Sequence, residues 1–274
     1  MREGSIFLPQ GAVTGIGSLP LTNAQTAVTF VAQMCPEVPF WPQLPRRSVD
    51  EQMIEQALGA KREFFVRRKG TYGYQVKPGL LRTCLEAFST GTAQLHEQCA
   101  SGFVAFEQAC ASHTFTQAQA LKGQLIGPIT LACSLFSEER AFLFDQDCLE
   151  AVSRWVTRLA LWQAHRLQQW KLPVICFLDE PCLALLTREP FQQRAGFAIL
   201  ALQTVITTLQ AAGILVGLHC CADQTSFSIM CQAAPDILSF DAYQNLELFE
   251  RDQDARAFLK GGGLVAFGLI PTIS

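Results

Sequence analysis

Seven short apolar runs recur along the chain, each bounded by Gly, Pro or polar residues: Ala12–Ser18, Val38–Trp41, Gly123–Ile126, Val174–Leu178, Ile214–His219, Ile237–Asp241 and Leu264–Leu269. Runs that are apolar throughout, rather than alternating, predict strands buried on both faces, as in a parallel sheet. Between them lie stretches of helical periodicity. These are Asn23–Met34, with Thr22 or Asn23 as N-cap, Asp50–Ala60, Leu80–Ala111, Asp147–Trp170, Ala195–Ala212, Ser226–Ala234 and Leu246–Leu259. The third reads as two helices broken near Ser89–Gly91, and Gly213 is placed to end the Ala195 helix in the left-handed conformation that favours glycine. Strand and helix therefore alternate from end to end, the signature of an α/β fold whose crossovers make the sheet parallel. No linker, low-complexity tract or short repeat interrupts the pattern, so residues 1–274 read as one domain. The strand count by itself does not choose between an open doubly wound sheet and a closed barrel.

Composition narrows the function classes. The chain is 49% hydrophobic and 16% charged, which excludes disorder. Its net charge of −3 excludes a broad basic face for nucleic acid and a polybasic membrane anchor. No apolar run approaches the ~20 residues of a membrane span, and the N-terminus lacks the pattern of a signal peptide. The expectation is a soluble cytoplasmic protein with no nucleic-acid or membrane partner. Most of the 11 cysteines, among them Cys84, Cys99, Cys110, Cys133, Cys148 and Cys231, fall within helical patterns and read as small buried hydrophobes.

In both α/β architectures function gathers at the C-terminal ends of the strands. The seven runs deliver Gly17-Ser18, Trp41-Pro42-Gln43, Gly127-Pro128, Asp179-Glu180-Pro181, His219-Cys220-Cys221, Asp241 and Ile270-Pro271-Thr272 to those ends. Alternation along a strand lets His219 and Cys221 face the mouth together while Cys220 points away. An imidazole and a thiol so placed suit Zn²⁺, and Asp241, at the end of the next strand, is a candidate third donor. Two other readings stand beside it: a buried histidine among structural thiols, and a nucleophilic Cys–His pair. Asp179 and Glu180 leave a buried strand, where charge is costly unless partnered, and so are candidate catalytic or binding groups. Ser18 is a turn residue or a ligand, and Arg46 and Arg47 read as solvated or structural before they read as an anion site.

Taken in order, five motifs resemble the C-terminal catalytic barrel of the cobalamin-independent methionine synthases, and most of all the short single-barrel relatives of that family. The motifs are Thr14-Gly15-Ile16-Gly17-Ser18-Leu19-Pro20, Lys122-Gly123-Gln124-Leu125-Ile126-Gly127-Pro128-Ile129-Thr130, Leu178-Asp179-Glu180-Pro181, His219-Cys220-Cys221 and Gly268-Leu269-Ile270-Pro271-Thr272. Each is modest alone; the ordered set spans almost the whole chain. The resemblance implies a (β/α)₈ TIM barrel, here expected to lack its last strand–helix unit, with zinc at the mouth. It implies zinc ligation by His219 and Cys221. Asp241 stands where the family has a Glu, one methylene longer, and the family's final Cys ligand would fall beyond Thr272, so the expectation is a chain truncated at its C-terminus or, failing that, another donor such as Cys220 in its place.

The chemistry implied is transfer of a methyl group to a zinc-held thiol such as homocysteine, as in methionine synthesis. Ser18 and the Ile16 backbone would hold the carboxylate side of the acceptor, and Asp179 its ammonium. Gln43, a neutral group, stands where the family places a carboxylate. The methyl donor implied is a methyl-folate or a methylated corrinoid. Two alternatives come from other classes: a uroporphyrinogen-decarboxylase-like lyase without metal on the same barrel, and a non-catalytic ligand-binding remnant.

Overall fold

The computed structural model describes residue 7 and residues 9–70 and 72–270. Its strands, in chain order, are β1 Phe65–Arg67, β2 Tyr74–Val76, β3 Leu121–Ile126, β4 Leu135–Ser137, β5 Arg140–Ala141, β6 Val174–Asp179, β7 Leu215–Cys220, β8 Ile237–Asp241 and β9 Leu264–Gly268. Its α-helices are α1 Ala24–Met34, α2 Met53–Leu58, α3 Leu81–Thr90, α4 Ser101–Ala111, α5 Pro128–Ser134, α6 Gln146–Gln168, α7 Ala195–Ala211, α8 Phe227–Gln232, α9 Ala242–Arg251 and α10 Gln253–Lys260. No helix among the described residues is long and apolar enough to cross a membrane.

The fold is mixed α/β around a five-stranded parallel sheet in the order β3-β6-β7-β8-β9, its strands lying side by side in the order in which they occur along the chain. Both faces are covered, which is why these strands are apolar at nearly every position. Leu121, Leu125, Cys176, Leu178, Val216, Leu218, Cys220, Leu238 and Phe240 face the main core with the long helix α6 and with α7. Ile175, Phe177 and Ile237 face the other way and pack with Val38 and Ala120.

Two isolated parallel bridges, Phe40↔Lys122 and Ser18↔Gln43, carry the same order back to the N-terminal segments. The backbone bonds there are few: Trp41 donates to the Lys122 carbonyl at 3.3 Å, Lys122 to Pro39 at 2.9 Å, Gln43 to Gly17 at 2.9 Å and Leu19 to Gln43 at 2.9 Å. The expected strands Ala12–Ser18 and Val38–Trp41 are thus extended segments touching at single bridges. The end of the last motif, from Pro271 on, lies outside the described residues.

Local chemistry accounts for the helix boundaries. Side chains of Asn23, Asp145, Ser226, Asp241 and Asp252 accept backbone N–H groups in the first turns of α1, α6, α8, α9 and α10. Gly213, with φ +79°, follows α7. The Asp252 cap also divides the expected Leu246–Leu259 helix in two, and Asp50–Ala60 forms α2 flanked by 3₁₀ turns. A second, four-stranded sheet, β1-β2-β4-β5, went unread. Its strands are two or three residues long, too short for a period to declare itself.

Candidate functional site

The site is built on one row of the parallel sheet. Register pairs Ile126 with Asp179, Asp179 with His219, His219 with Ser239, and Ser239 with Ala266. In a parallel sheet, residues in register point to the same face. Asp179, His219 and Ser239 therefore stand side by side, Asp179 at the end of β6, His219 one residue before the end of β7 and Ser239 in the middle of β8. The row beneath holds Gln124, Phe177, Gly217 and Ile237, and the next Lys122, Ile175 and Leu215.

Lys122 is wholly buried beneath the row. Its Nζ donates to the Ile16 carbonyl at 2.9 Å and to Gln124 Oε1 at 3.1 Å, and lies 4.4 Å from the centre of the Phe177 ring. Burial pushes this ammonium below its ordinary range, and Asp179 nearby opposes that shift. Burial likewise pushes the Asp179 carboxyl up, and Lys122 opposes it. Asp179 Oδ1 is buried with no hydrogen-bond partner among the described residues. An acceptor left in that condition costs stability unless something supplies a donor.

His219 is half-buried, and its Nδ1 lies 3.1 Å from Ser239 Oγ. Burial, then the Lys122 charge, lower its pKa to about 4, so the ring is neutral at pH 7. Cys220 is fully buried in the main core, on the far face of the sheet, as alternation requires. Cys221 is exposed just past the end of β7; desolvation, then Cys220, raise its thiol pKa, with Asp179 and Asp241 adding smaller like-charge effects. Asp241 ends β8 and caps α9, its Oδ1 accepting from the Tyr243 N–H at 2.9 Å.

The donor chemistry suits the soft half of a zinc site. A neutral imidazole with one nitrogen held by Ser239 has the other left for a ligand, which is how outer partners orient ligating histidines. A thiol follows two residues on. Among the described residues no three His, Cys, Asp or Glu side chains stand together as a complete metal-holding group.

The remaining expected site residues are placed as follows. Ser18 is exposed, and its backbone bridges Gln43. The Ile16 carbonyl is occupied by Lys122. Gln43 is buried and donates through Nε2 to Gln56 Oε1 at 2.7 Å, and Gln56 donates in turn to the Cys99 carbonyl at 2.8 Å. Its amide nitrogen is thereby spent inside the fold. Glu180 does not join this row: it is fully buried, with Oε1 accepting from the Ile129 N–H at 2.8 Å and Oε2 from the Thr130 N–H at 2.7 Å and hydroxyl at 2.6 Å. It caps α5, and burial pushes it up to about 8. Gly127 is required beside it, since a Cβ there would lie 2.2 Å from Glu180 Oε1.

Sequence reasoning gave no role to Lys122, Gln124 or Ser239. The expected strand began at Gly123, whereas β3 begins at Leu121 and takes in Lys122. A lysine and a glutamine two apart in an otherwise apolar run were the available signal. Comparison with protein-family models and with curated proteins returns no match for this chain.

Proposed function

We propose that this chain is a zinc-dependent methyltransferase of the cobalamin-independent methionine synthase type, built on a (β/α)₈ barrel and acting on a thiol such as homocysteine. The fold reading rests on seven segments in chain order, each bridged in parallel to the next, with helices covering one face of the sheet. That is the layout of a barrel wall, with function at the C-terminal strand ends.

The observation that carries the functional reading is the mouth row itself. Asp179, His219 and Ser239 are in register on adjacent parallel strands, with Cys221 one residue past the end of β7 and a buried carboxylate oxygen on Asp179 that has no partner among the described residues. Asp179 Oδ1 suits the ammonium of an amino-acid acceptor, the kind of donor it lacks. Lys122 holds a positive charge beneath the row and opposes protonation of Asp179. His219 and Cys221 would hold the zinc, with Asp241 beside them. Bound zinc supplies a lowered thiol pKa, keeping the acceptor as a thiolate at neutral pH. Ser239 fixes the His219 ring. The acceptor sulfur attacks the methyl carbon of a methyl-folate or methyl-corrinoid, whose bond to that carbon breaks.

The test is zinc content together with methyl transfer to a panel of thiols, using the whole chain. Wild type is expected to bind zinc and methylate at least one thiol. Cys221→Ser and His219→Ala should lose both, and Cys220→Ser should keep both. If neither variant changes zinc content, the metal site fails and a metal-free lyase or ligand-binding barrel replaces this reading.

A further inference from the structure

Away from the mouth row, the chain brings two cysteines together. Cys133 lies in the last turn of α5 and Cys182 in the 3₁₀ turn Pro181–Thr187 that follows β6. The backbone N–H of Cys182 donates to Thr130 Oγ1 at 3.2 Å, and Thr130 is one helical turn before Cys133 on the same side of α5. That bond seats Cys182 against the turn of α5 that carries Cys133, and both cysteines are half-buried. Seven of the 11 free cysteines are instead buried, and Cys221 and Cys231 belong to other segments.

We infer that Cys133 and Cys182 form a dithiol site that low-molecular-weight disulfides oxidise to an intramolecular disulfide. Cys182 is the attacking group, because its thiol neighbour lowers its pKa while that of Cys133 is raised. The Cys182 thiolate attacks one sulfur of the small disulfide, the S–S bond breaks, and one thiolate leaves. Cys133 then gives up its proton and attacks the Cys182 sulfur, which expels the second thiolate. Two protein thiols are oxidised by two electrons, one small disulfide is reduced to two thiols, and those thiols take up the two protons. The new bond would tie α5 to the segment that carries Asp179 and Glu180. This inference does not depend on the zinc reading, since neither cysteine belongs to the proposed metal site.

The probe is glutathione disulfide added to the folded whole chain, followed by alkylation of free thiols and peptide mapping without reduction. The expected main product is a Cys133–Cys182 cross-linked peptide, two hydrogens lighter than the sum of its parts and reversed by dithiothreitol. Cys133→Ser should leave a stable glutathionyl group on Cys182, and Cys182→Ser should slow uptake at Cys133 at least tenfold. If wild type accumulates the mixed disulfide on Cys182 with Cys133 free, or if Cys221 is oxidised while the pair stays reduced, the inference is overturned. The wild-type map decides the question even if a variant fails to fold.

Discussion

Lys122 Nζ donates to the carbonyl of Ile16 at 2.9 Å, so a charge buried in the third segment of the sheet holds the loop that leaves the first. Replacing it by Met keeps the stem but leaves the Ile16 carbonyl and Gln124 Oε1 without their donor. Lys122→Met is expected to cost about 2–3 kcal/mol, the penalty of stranded buried acceptors. It should also raise the pKa of Asp179 further, because the nearby cation is gone. Urea unfolding and carboxyl-carbon NMR titration measure the two effects. An unchanged Asp179 titration would show that the two charges do not interact.

Glu180 sets a pH dependence of stability. Burial raises its pKa to about 8, against ~4.3 for an unfolded glutamate. Between those values the folded state keeps a proton that the unfolded state has released. The contribution of this group to stability is therefore fully present below about pH 4.3 and is lost as pH rises through about 8. Glu180→Gln should flatten that slope. It should also cost about 1–3 kcal/mol at pH 5, because its NH₂ would face a backbone N–H of α5. Unfolding free energies across pH 5 to 8 test this, and an unaltered slope in the variant would assign the titration elsewhere.

Gly217 leaves room for Phe177, whose ring would lie 2.2 Å from a Cβ placed there. Gly217→Ala is expected to cost about 1–3 kcal/mol through overpacking and to disturb Lys122, which rests on that ring. Gly196, in α7, has nothing within 4 Å of its Cβ position. Gly196→Ala should be neutral or stabilising by up to ~1 kcal/mol. Thermal and urea unfolding of both variants would show the contrast, and equal effects would contradict the packing described for Phe177.

The two adjacent thiols where β7 ends should separate stability from ligand chemistry. Cys220 is fully buried and Cys221 exposed. Cys220→Ser should cost about 1–2 kcal/mol by burying a hydroxyl in an apolar core while leaving zinc content unchanged. Cys221→Ser should stay within ~0.5 kcal/mol of wild type without metal and lose zinc. Unfolding of the metal-free proteins, with zinc assayed separately, distinguishes the pair.

What the sequence by itself determined is what depends on near neighbours in the chain. Asn23 and Ser226 announce helix starts, Gly213 an end, and apolar runs such as Val174–Leu178 announce strands buried on both faces, because caps and periodicity act over a few residues. The alternation that turns Cys220 away from His219 is local in the same sense: Cys220 lies in the main core, and Cys221 is exposed just past the end of β7. What only the tertiary structure decided depends on register and crossover between distant segments. Glu180 follows a strand exactly as a mouth residue would, yet it turns to cap α5, fifty residues earlier in the chain. Lys122 joins a strand because Ile175 pairs with it on one side while Pro39 and Trp41 bond to it on the other, and Cys182 comes to the Cys133 turn because α5 packs against the turn after β6. No pattern within one segment carries such pairings, since the free energy that selects them comes from burying surfaces that meet only once the sheet has formed.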